Sequence, residues 1–297
     1  VGKDEVVARA LMVVLSRGHI LLEDVPGVGK TTLALAFSRA MGIEYRRVQF
    51  TPDVVPSDIL GFSIYDKETG NLVYKPGAVM CNLLLADEIN RTSSKTQSAL
   101  LEVMEERQVS IDGVTHALPD PFLVIATQNP VGAAGTQLLP QAQLDRFMAR
   151  LKMGYPDFNS QVRILRDRKG ENPLNQVSQT VDAAAVRRMQ GEVDSLNVAD
   201  SIYEYITHLA QATREHAVVQ LGVSPRGALA VLKMAQARAY VSGRDYVLPE
   251  DAAAVFGDVC AHRLVLSPKA KLAGKAAEDV IREVLASVRM PLAGARG

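Results

Sequence analysis

Between the apolar stretch Ile20-Leu21-Leu22 and a helical pattern over residues 30–41 stands Asp24-Val25-Pro26-Gly27-Val28-Gly29-Lys30-Thr31-Thr32. An apolar strand, a glycine-rich turn and a helix opening on Gly-Lys-Thr constrain the chain more than any other feature. The glycines let successive backbone N–H groups curl around an anion, and the helix N-terminus adds a partial positive charge. Lys30 adds a full charge, and the Thr31 hydroxyl suits a Mg²⁺ ion. The arrangement predicts a cradle for the phosphates of a nucleoside triphosphate, lined by Gly27, Val28, Gly29, Lys30, Thr31 and Thr32. The strict spacing G-x-x-x-x-G-K-[ST] places a glycine where this chain has Asp24. At the strand exit that carboxylate is expected to face solvent, with Pro26-Gly27 supplying the tight turn.

The surrounding periodicity agrees with such a loop. Apolar strand patterns fall at 19–23, 45–49, 82–86, 122–127 and 149–153, and helical ones near 4–16, 30–41, 95–106 and 140–146. Strands alternating with helices predict a five-stranded parallel α/β sheet with helices on both faces. Two segments break the rhythm. Residues 62–65 and 72–75 flank a turn, and 108–111 and 114–117 flank Asp112-Gly113, so each reads as a hairpin. From Asp157 onward the strand signal disappears and helical periods run near 157–168, 182–195, 200–214, 225–241, 249–264 and 276–288. Ser224-Pro225 reads as a helix start, with Ser at the cap and Pro in the first turn. The expected organisation is an α/β domain over 1–153 and a helical lid over 157–290.

Two further strands end in polar residues. Leu83-Leu84-Leu85-Ala86 runs into Asp87 and Glu88, and the C-terminal edge of an open α/β sheet faces the ligand crevice. Asp87 is expected to hold Mg²⁺ and Glu88 to polarise the attacking water. Two acids at a strand end also serve as helix caps, but the upstream phosphate loop favours the catalytic reading. Phe122–Thr127 leads to Gln128-Asn129, and a neighbouring parallel strand would set Asn129 beside Glu88, where its amide can orient water. Asn129-Pro130 is equally a turn signal. Arg146, in Leu144-Asp145-Arg146-Phe147, reads either as a surface ion pair or as an arginine offered to the γ-phosphate of a neighbouring subunit. Such a charge matters because phosphoryl transfer is catalysed mainly by positioning and charge stabilisation. Arg226 reads either as an exposed first-turn residue or as a lid arginine that reaches the nucleotide.

Composition narrows the alternatives. Thirty-three basic residues balance 33 acidic ones, and aromatics make up 5% of the 297 residues with no Trp. Neither a broad basic face nor a stacking surface for single strands is expected, which argues against a nucleic-acid partner. Two isolated cysteines, Cys81 and Cys260, and five histidines without metal-ligand spacing point to a reducing, cytoplasmic compartment and to no structural metal. No stretch is long and apolar enough to span a bilayer. The start at Val1, without Met, reads as a trimmed N-terminus.

Taken in order, Leu21-Leu-Glu-Asp-Val-Pro-Gly-Val-Gly-Lys-Thr31, Phe50-Thr-Pro-Asp53, Pro56-Ser-Asp-Ile-Leu-Gly61, Leu85-Ala-Asp-Glu-Ile-Asn-Arg91, Ala126-Thr-Gln-Asn-Pro130, Gln143-Leu-Asp-Arg-Phe147 and Val223-Ser-Pro-Arg226 resemble the AAA+ ATPases, and more closely their MoxR family. The resemblance implies Walker A at 27–32, Walker B at Asp87-Glu88, sensor 1 at Asn129, an arginine finger at Arg146 and sensor 2 at Arg226. It makes 62–75 the helix-2 insert and 108–117 the pre-sensor-1 insert. It implies ATP and Mg²⁺ as cofactors, with ATP between the α/β domain and the lid. It further implies a homo-oligomer, a hexamer in this family, and chaperone-like action on clients with a von Willebrand factor A domain, including metal cofactor insertion. The rival readings on the same fold are a chelatase-type subunit and a nucleic-acid motor. Asp24 is the departure from the family pattern within the loop.

Overall fold

The computed structural model describes residues 2–128, 139–167 and 173–291. The chain divides into two compact units, the first holding residues 1–10, 19–146 and 151–187 and the second 11–18, 147–150 and 188–297. In chain order the elements up to residue 167 are α1 (Asp4–Leu15), β1 (Ile20–Glu23), α2 (Lys30–Met41), β2 (Tyr45–Gln49), α3 (Pro56–Leu60), β3 (Gly61–Tyr65), β4 (Leu72–Pro76), β5 (Leu83–Asp87), α4 (Ser94–Glu106), β6 (Gln108–Ile111), β7 (Val114–Ala117), β8 (Leu123–Gln128), α5 (Gln141–Leu144), β9 (Ala149–Leu151) and α6 (Phe158–Asp167). They continue with α7 (Ala183–Asp194), α8 (Asp200–Glu215), β10 (Val219–Leu221), α9 (Pro225–Val241), α10 (Pro249–Cys260), β11 (Val265–Leu266), α11 (Pro268–Leu272) and α12 (Ala277–Ser287).

The main sheet has the order β2-β5-β8-β1-β9. β1 pairs parallel with β8, β8 with β5, and β5 with β2. Its composition follows position. Leu83–Ala86 of β5 and Val124–Ala126 of β8 are fully buried, because a central parallel strand is covered on both faces and reads as a continuous apolar run. β2, at the edge, carries Arg46, Arg47 and Gln49, charged and polar side chains that blunt an unpaired edge. The two segments read as hairpins pair antiparallel, β3 with β4 and β6 with β7. Tyr74 of the first stacks on His116 of the second, with ring centroids 4.0 Å apart.

His19 is locked into this unit. Its Nδ1 accepts from the Val124 backbone N–H at 3.0 Å, and its Nε2 donates to the Met104 carbonyl at 3.0 Å. Burial pushes its pKa down to about 4, so the ring is neutral.

The second unit is built on α8, α9, α10 and α12. Ile206, Leu209, Val231, Met234, Phe256, Val259 and Val284 are among its buried side chains. The Ser224 hydroxyl accepts from the Gly227 N–H at 3.0 Å and Pro225 occupies the first turn of α9, the start expected of Ser-Pro at that position. Asp251 in the first turn of α10 is 1% exposed, and its carboxylate has a full set of partners. Arg244 grips it through both terminal nitrogens at 2.7 and 2.8 Å, Arg238 Nε reaches it at 3.1 Å, and the Leu248 N–H at 2.8 Å. One expectation fails here. The strand signal does not end at Asp157, since β10 pairs antiparallel with β11. Strands of three and two residues, more than forty positions apart, are too short to show a period of two.

Candidate functional site

The phosphate-type loop follows β1 and opens α2. Gly27 and Gly29 sit at φ 85° and 97°, a region that L side chains rarely enter. A Cβ at Gly27 would meet nothing within 4 Å, and one at Gly29 only the Met153 methyl at 3.8 Å. The glycines are therefore required by backbone conformation and not by crowding. The first N–H groups of α2 have no partner within the helix, and an anion satisfies such groups well. Val28, Thr31 and Thr32 complete the loop, Thr31 half-buried and Thr32 exposed.

Asp24 does not simply face solvent, as its position suggested. Its Oδ2 accepts from the Gly154 N–H at 2.6 Å, its Oδ1 from the Val25 N–H at 2.9 Å, and its backbone carbonyl from Lys30 Nζ at 2.8 Å. The carboxylate ties the base of the loop to the segment after β9. A glycine there could make none of the side-chain contacts.

Lys30 is 8% exposed. Burial lowers its pKa, while Asp24, Asp87 and Glu88 act in the opposite direction, in that order. One ammonium thus shares a half-enclosed site with three carboxylates. The Thr31 hydroxyl and Asp87 carboxylate are hard oxygen donors of the kind Mg²⁺ takes.

Asp87 and Glu88 lie at the C-terminal end of β5. The Thr127 hydroxyl donates to Asp87 Oδ1 at 2.7 Å and accepts from the Glu88 N–H at 2.8 Å, bracing the two acids from the adjacent strand. Arg47 donates to Asp87 Oδ2 at 2.7 Å. Gln49 and Arg91 both donate to Glu88 Oε2 at 2.8 Å. Glu88 has φ 57°, uncommon for a residue with a Cβ and a conformation that concentrates at functional sites. Sequence reasoning assigned no role to Thr127, Arg47, Gln49 or Arg91. A legible signal existed for Thr127, a hydroxyl at the end of an otherwise apolar buried strand. Arg47 and Gln49 carried none, since polar residues on an edge strand are ordinary.

Asn129 lies outside the described residues. Arg146, just after α5, pairs through Nε with Glu105 Oε2 at 3.0 Å and is about one-third exposed. The next two residues belong to the second unit, where the buried Arg263 holds the Phe147 carbonyl at 2.8 Å and the Met148 carbonyl at 3.2 Å. Arg226 is exposed on the first turn of α9. The structure thus brings together Asp24, Lys30, Asp87 and Glu88 within the first unit.

A glycine cradle on a strand–loop–helix and a carboxylate pair at the neighbouring strand end define a P-loop nucleoside triphosphatase of the AAA+ type with a helical lid. The model of the ATPase family associated with various cellular activities (AAA) matches residues 19–149, and that of the AAA lid domain matches 211–284. The chain is 48% identical to the uncharacterised protein YeaC of Bacillus subtilis, over 98% of its own length and 91% of that protein. It is 43% identical to chaperone MoxR1 of Mycobacterium tuberculosis, over 98% of its own length and 79% of the relative. A crystal structure from Cytophaga hutchinsonii, described as that of a candidate ATPase, superposes with a TM-score of 0.91 at 38% identity, covering 98% of this chain and 91% of the other. The chain belongs to the MoxR family of AAA+ ATPases.

Proposed function

We propose that this protein hydrolyses ATP and works as a chaperone-like, ring-forming motor. The observation that carries the reading is the meeting of Lys30 with Asp24, Asp87 and Glu88 beside a turn with positive φ at Gly27 and Gly29. In this reading Gly27, Val28, Gly29, Lys30, Thr31 and Thr32 bind the phosphates. Lys30 neutralises charge on the β- and γ-phosphates. Thr31 and Asp87 hold Mg²⁺, which supplies charge neutralisation when bound. Glu88 takes the proton of the attacking water, and it must first exchange its bonds to Gln49 and Arg91 for one to that water. Asn129 orients the same water as sensor 1. Arg226 acts as sensor 2, a role resting on the family resemblance. Arg146 serves the γ-phosphate of the next subunit, giving up Glu105 to do so.

Hydrolysis removes the γ-phosphate contacts, and loss of such contacts is a general way to release a bistable arrangement. The MoxR1 relative is named a chaperone, which supports remodelling of client proteins as the output. A hexamer, clients with a von Willebrand factor A domain, help with metal insertion and a cytoplasmic location complete the reading, on the family resemblance. Among the described residues no helix is long and apolar enough to cross a membrane.

The test is ATPase rate against protein concentration for wild type, Arg146→Ala, Glu88→Gln and an equimolar mixture of the two variants. A rate per subunit that rises with concentration, falls in both variants and partly recovers in the mixture supports a site shared between subunits. A rate that is flat with concentration and indifferent to Arg146 overturns it.

A further inference from the structure

Arg263 lies in the short turn Ala261–Arg263 that follows α10, and it is 3% exposed. An arginine is seldom buried so far unless its donors are occupied. Its Nη2 donates to the Phe147 carbonyl at 2.8 Å, and its Nη1 to the Met148 carbonyl at 3.2 Å and to the Val259 carbonyl of α10. Nη1 also lies 2.9 Å from Nε2 of His262. Burial and the adjoining Arg263 push the His262 pKa well below its ordinary value, so that ring brings no second charge. The shaft is held as well. A Cβ on Gly227, in the first turn of α9, would come within 2.9 Å of Arg263 Cδ, so a glycine is what lets the side chain pass. Phe147 is fully buried, and Met148 is pressed on Gly18, where an added Cβ would stand 2.5 Å from the Met148 Cβ. One planar fork, fixed along its length, thus grips two successive carbonyls immediately after Arg146.

We propose that Arg263 is the positioning residue of Arg146. By holding the backbone of Phe147 and Met148 it sets where Arg146 stands when that arginine serves the γ-phosphate of the next subunit. The inference rests on the shared-site reading of Arg146 and adds the group that aims it. Support from the other side of Arg146 is weaker. α5 has four residues, and a helix of one turn has little stability of its own. The ion pair of Arg146 with Glu105 joins side chains 31% and 38% exposed, and such a pair fixes little. A long side chain carries any displacement of its Cα to its tip, and a misplacement of about 1 Å can cost a factor of about 10² in rate. Arginine suits the task better than lysine, because a guanidinium spans two carbonyls with a rigid plane whereas an ammonium is a point donor on a flexible stem.

The experiment is a double-mutant cycle read in the steady-state ATPase of the full chain, at protein concentrations where the rate per subunit has reached its plateau. Arg263→Lys is expected to lower kcat about 10- to 100-fold. The KM for ATP should change by less than about twofold, because Arg146 acts in the transition state and adds little to ground-state binding. In an Arg146→Ala background the same change should lower kcat no further, since a residue that acts through Arg146 has nothing left to aim. Gly227→Ala crowds the Arg263 shaft and alters no charge. It should give the same pattern in smaller measure, and it carries the test if Arg263→Lys does not fold.

Equal fold-losses from Arg263→Lys with and without Arg146 make Arg263 a purely structural residue of the helical unit and overturn the positioning role, while the shared site stands. Wild-type kcat in the folded variants does the same. An Arg146→Ala protein with wild-type kcat removes the shared-site reading, and the positioning role goes with it.

Discussion

The two units use buried charge in opposite ways. In the first, Asp87 and Glu88 end an apolar strand with side chains 14% and 20% exposed, and their partners Arg47 and Arg91 are more than 40% exposed. Those partners reach in from solvent and can be exchanged for a ligand. In the second, the Asp251 side chain is 2% exposed and satisfied by two arginines and a backbone N–H. Arg244 is 21% and Arg238 39% exposed, so the enclosed member is the carboxylate, and losing its partners would leave that charge unpaired in the interior. The lesson is that the depth of the carboxylate, 14% and 20% exposed against 2%, separates the two arrangements more sharply than the exposure of the arginines does.

That contrast can be broken at several points. Glu88→Gln should lower ATP turnover by a factor of about 10²–10⁴, the usual contribution of a positioned general base, while ATP still binds. Steady-state rates together with equilibrium nucleotide binding check both halves. Asp251→Ala should cost about 3 kcal/mol of stability, the low end for a broken buried pair, because it removes the acceptor of the Leu248 N–H and the partner of two arginines that water can partly hydrate. Urea unfolding measures this, and a loss under 1 kcal/mol would make Asp251 as replaceable as its counterparts in the first unit.

The pH dependence sharpens the same comparison. His19 is depressed to about 4 when folded, against 6.5 unfolded. Below pH 6.5 the unfolded chain binds the proton first, so stability is full above pH 6.5 and declines as pH falls towards 4. The His19 contribution to that decline is about 3 kcal/mol. Unfolding midpoints at pH 7 and pH 4.5 should show it, and His19→Gln should flatten it. The smallest effect belongs to the exposed partner. Arg47→Ala removes a cation from Asp87 and should change stability by only about 0.2–1 kcal/mol. The Mg²⁺ concentration for half-maximal ATPase should fall by at most about fivefold, since the same interaction energy is released to the metal.

Much of the site was legible because its chemistry is local. Residues 27–32 are contiguous, and a turn that needs positive φ at Gly27 and Gly29 announces itself by glycine. Asp87 and Glu88 follow a run of four buried residues whose apolarity marks a central strand. The partners of these groups were not legible. Thr127 is 40 residues from Asp87, and Gln49 is 39 from Glu88. Only strand order brings them side by side, with β5 between β2 and β8. Asp24 is the clearest case. Read locally it breaks the loop pattern, yet its hydrogen bond to the N–H of Gly154, 130 residues away, gives it a purpose.

Local pattern by itself therefore determined the α/β core, the phosphate-type loop and the identity of the carboxylate pair, because backbone conformation and burial select residue types at short range. Tertiary structure alone decided which side chains hold those carboxylates, what Asp24 grips, and which carbonyls Arg263 holds. Those outcomes depend on which distant segments come within a few ångströms of one another, and a side chain carries no mark of its partner until the sheet and the helices have packed.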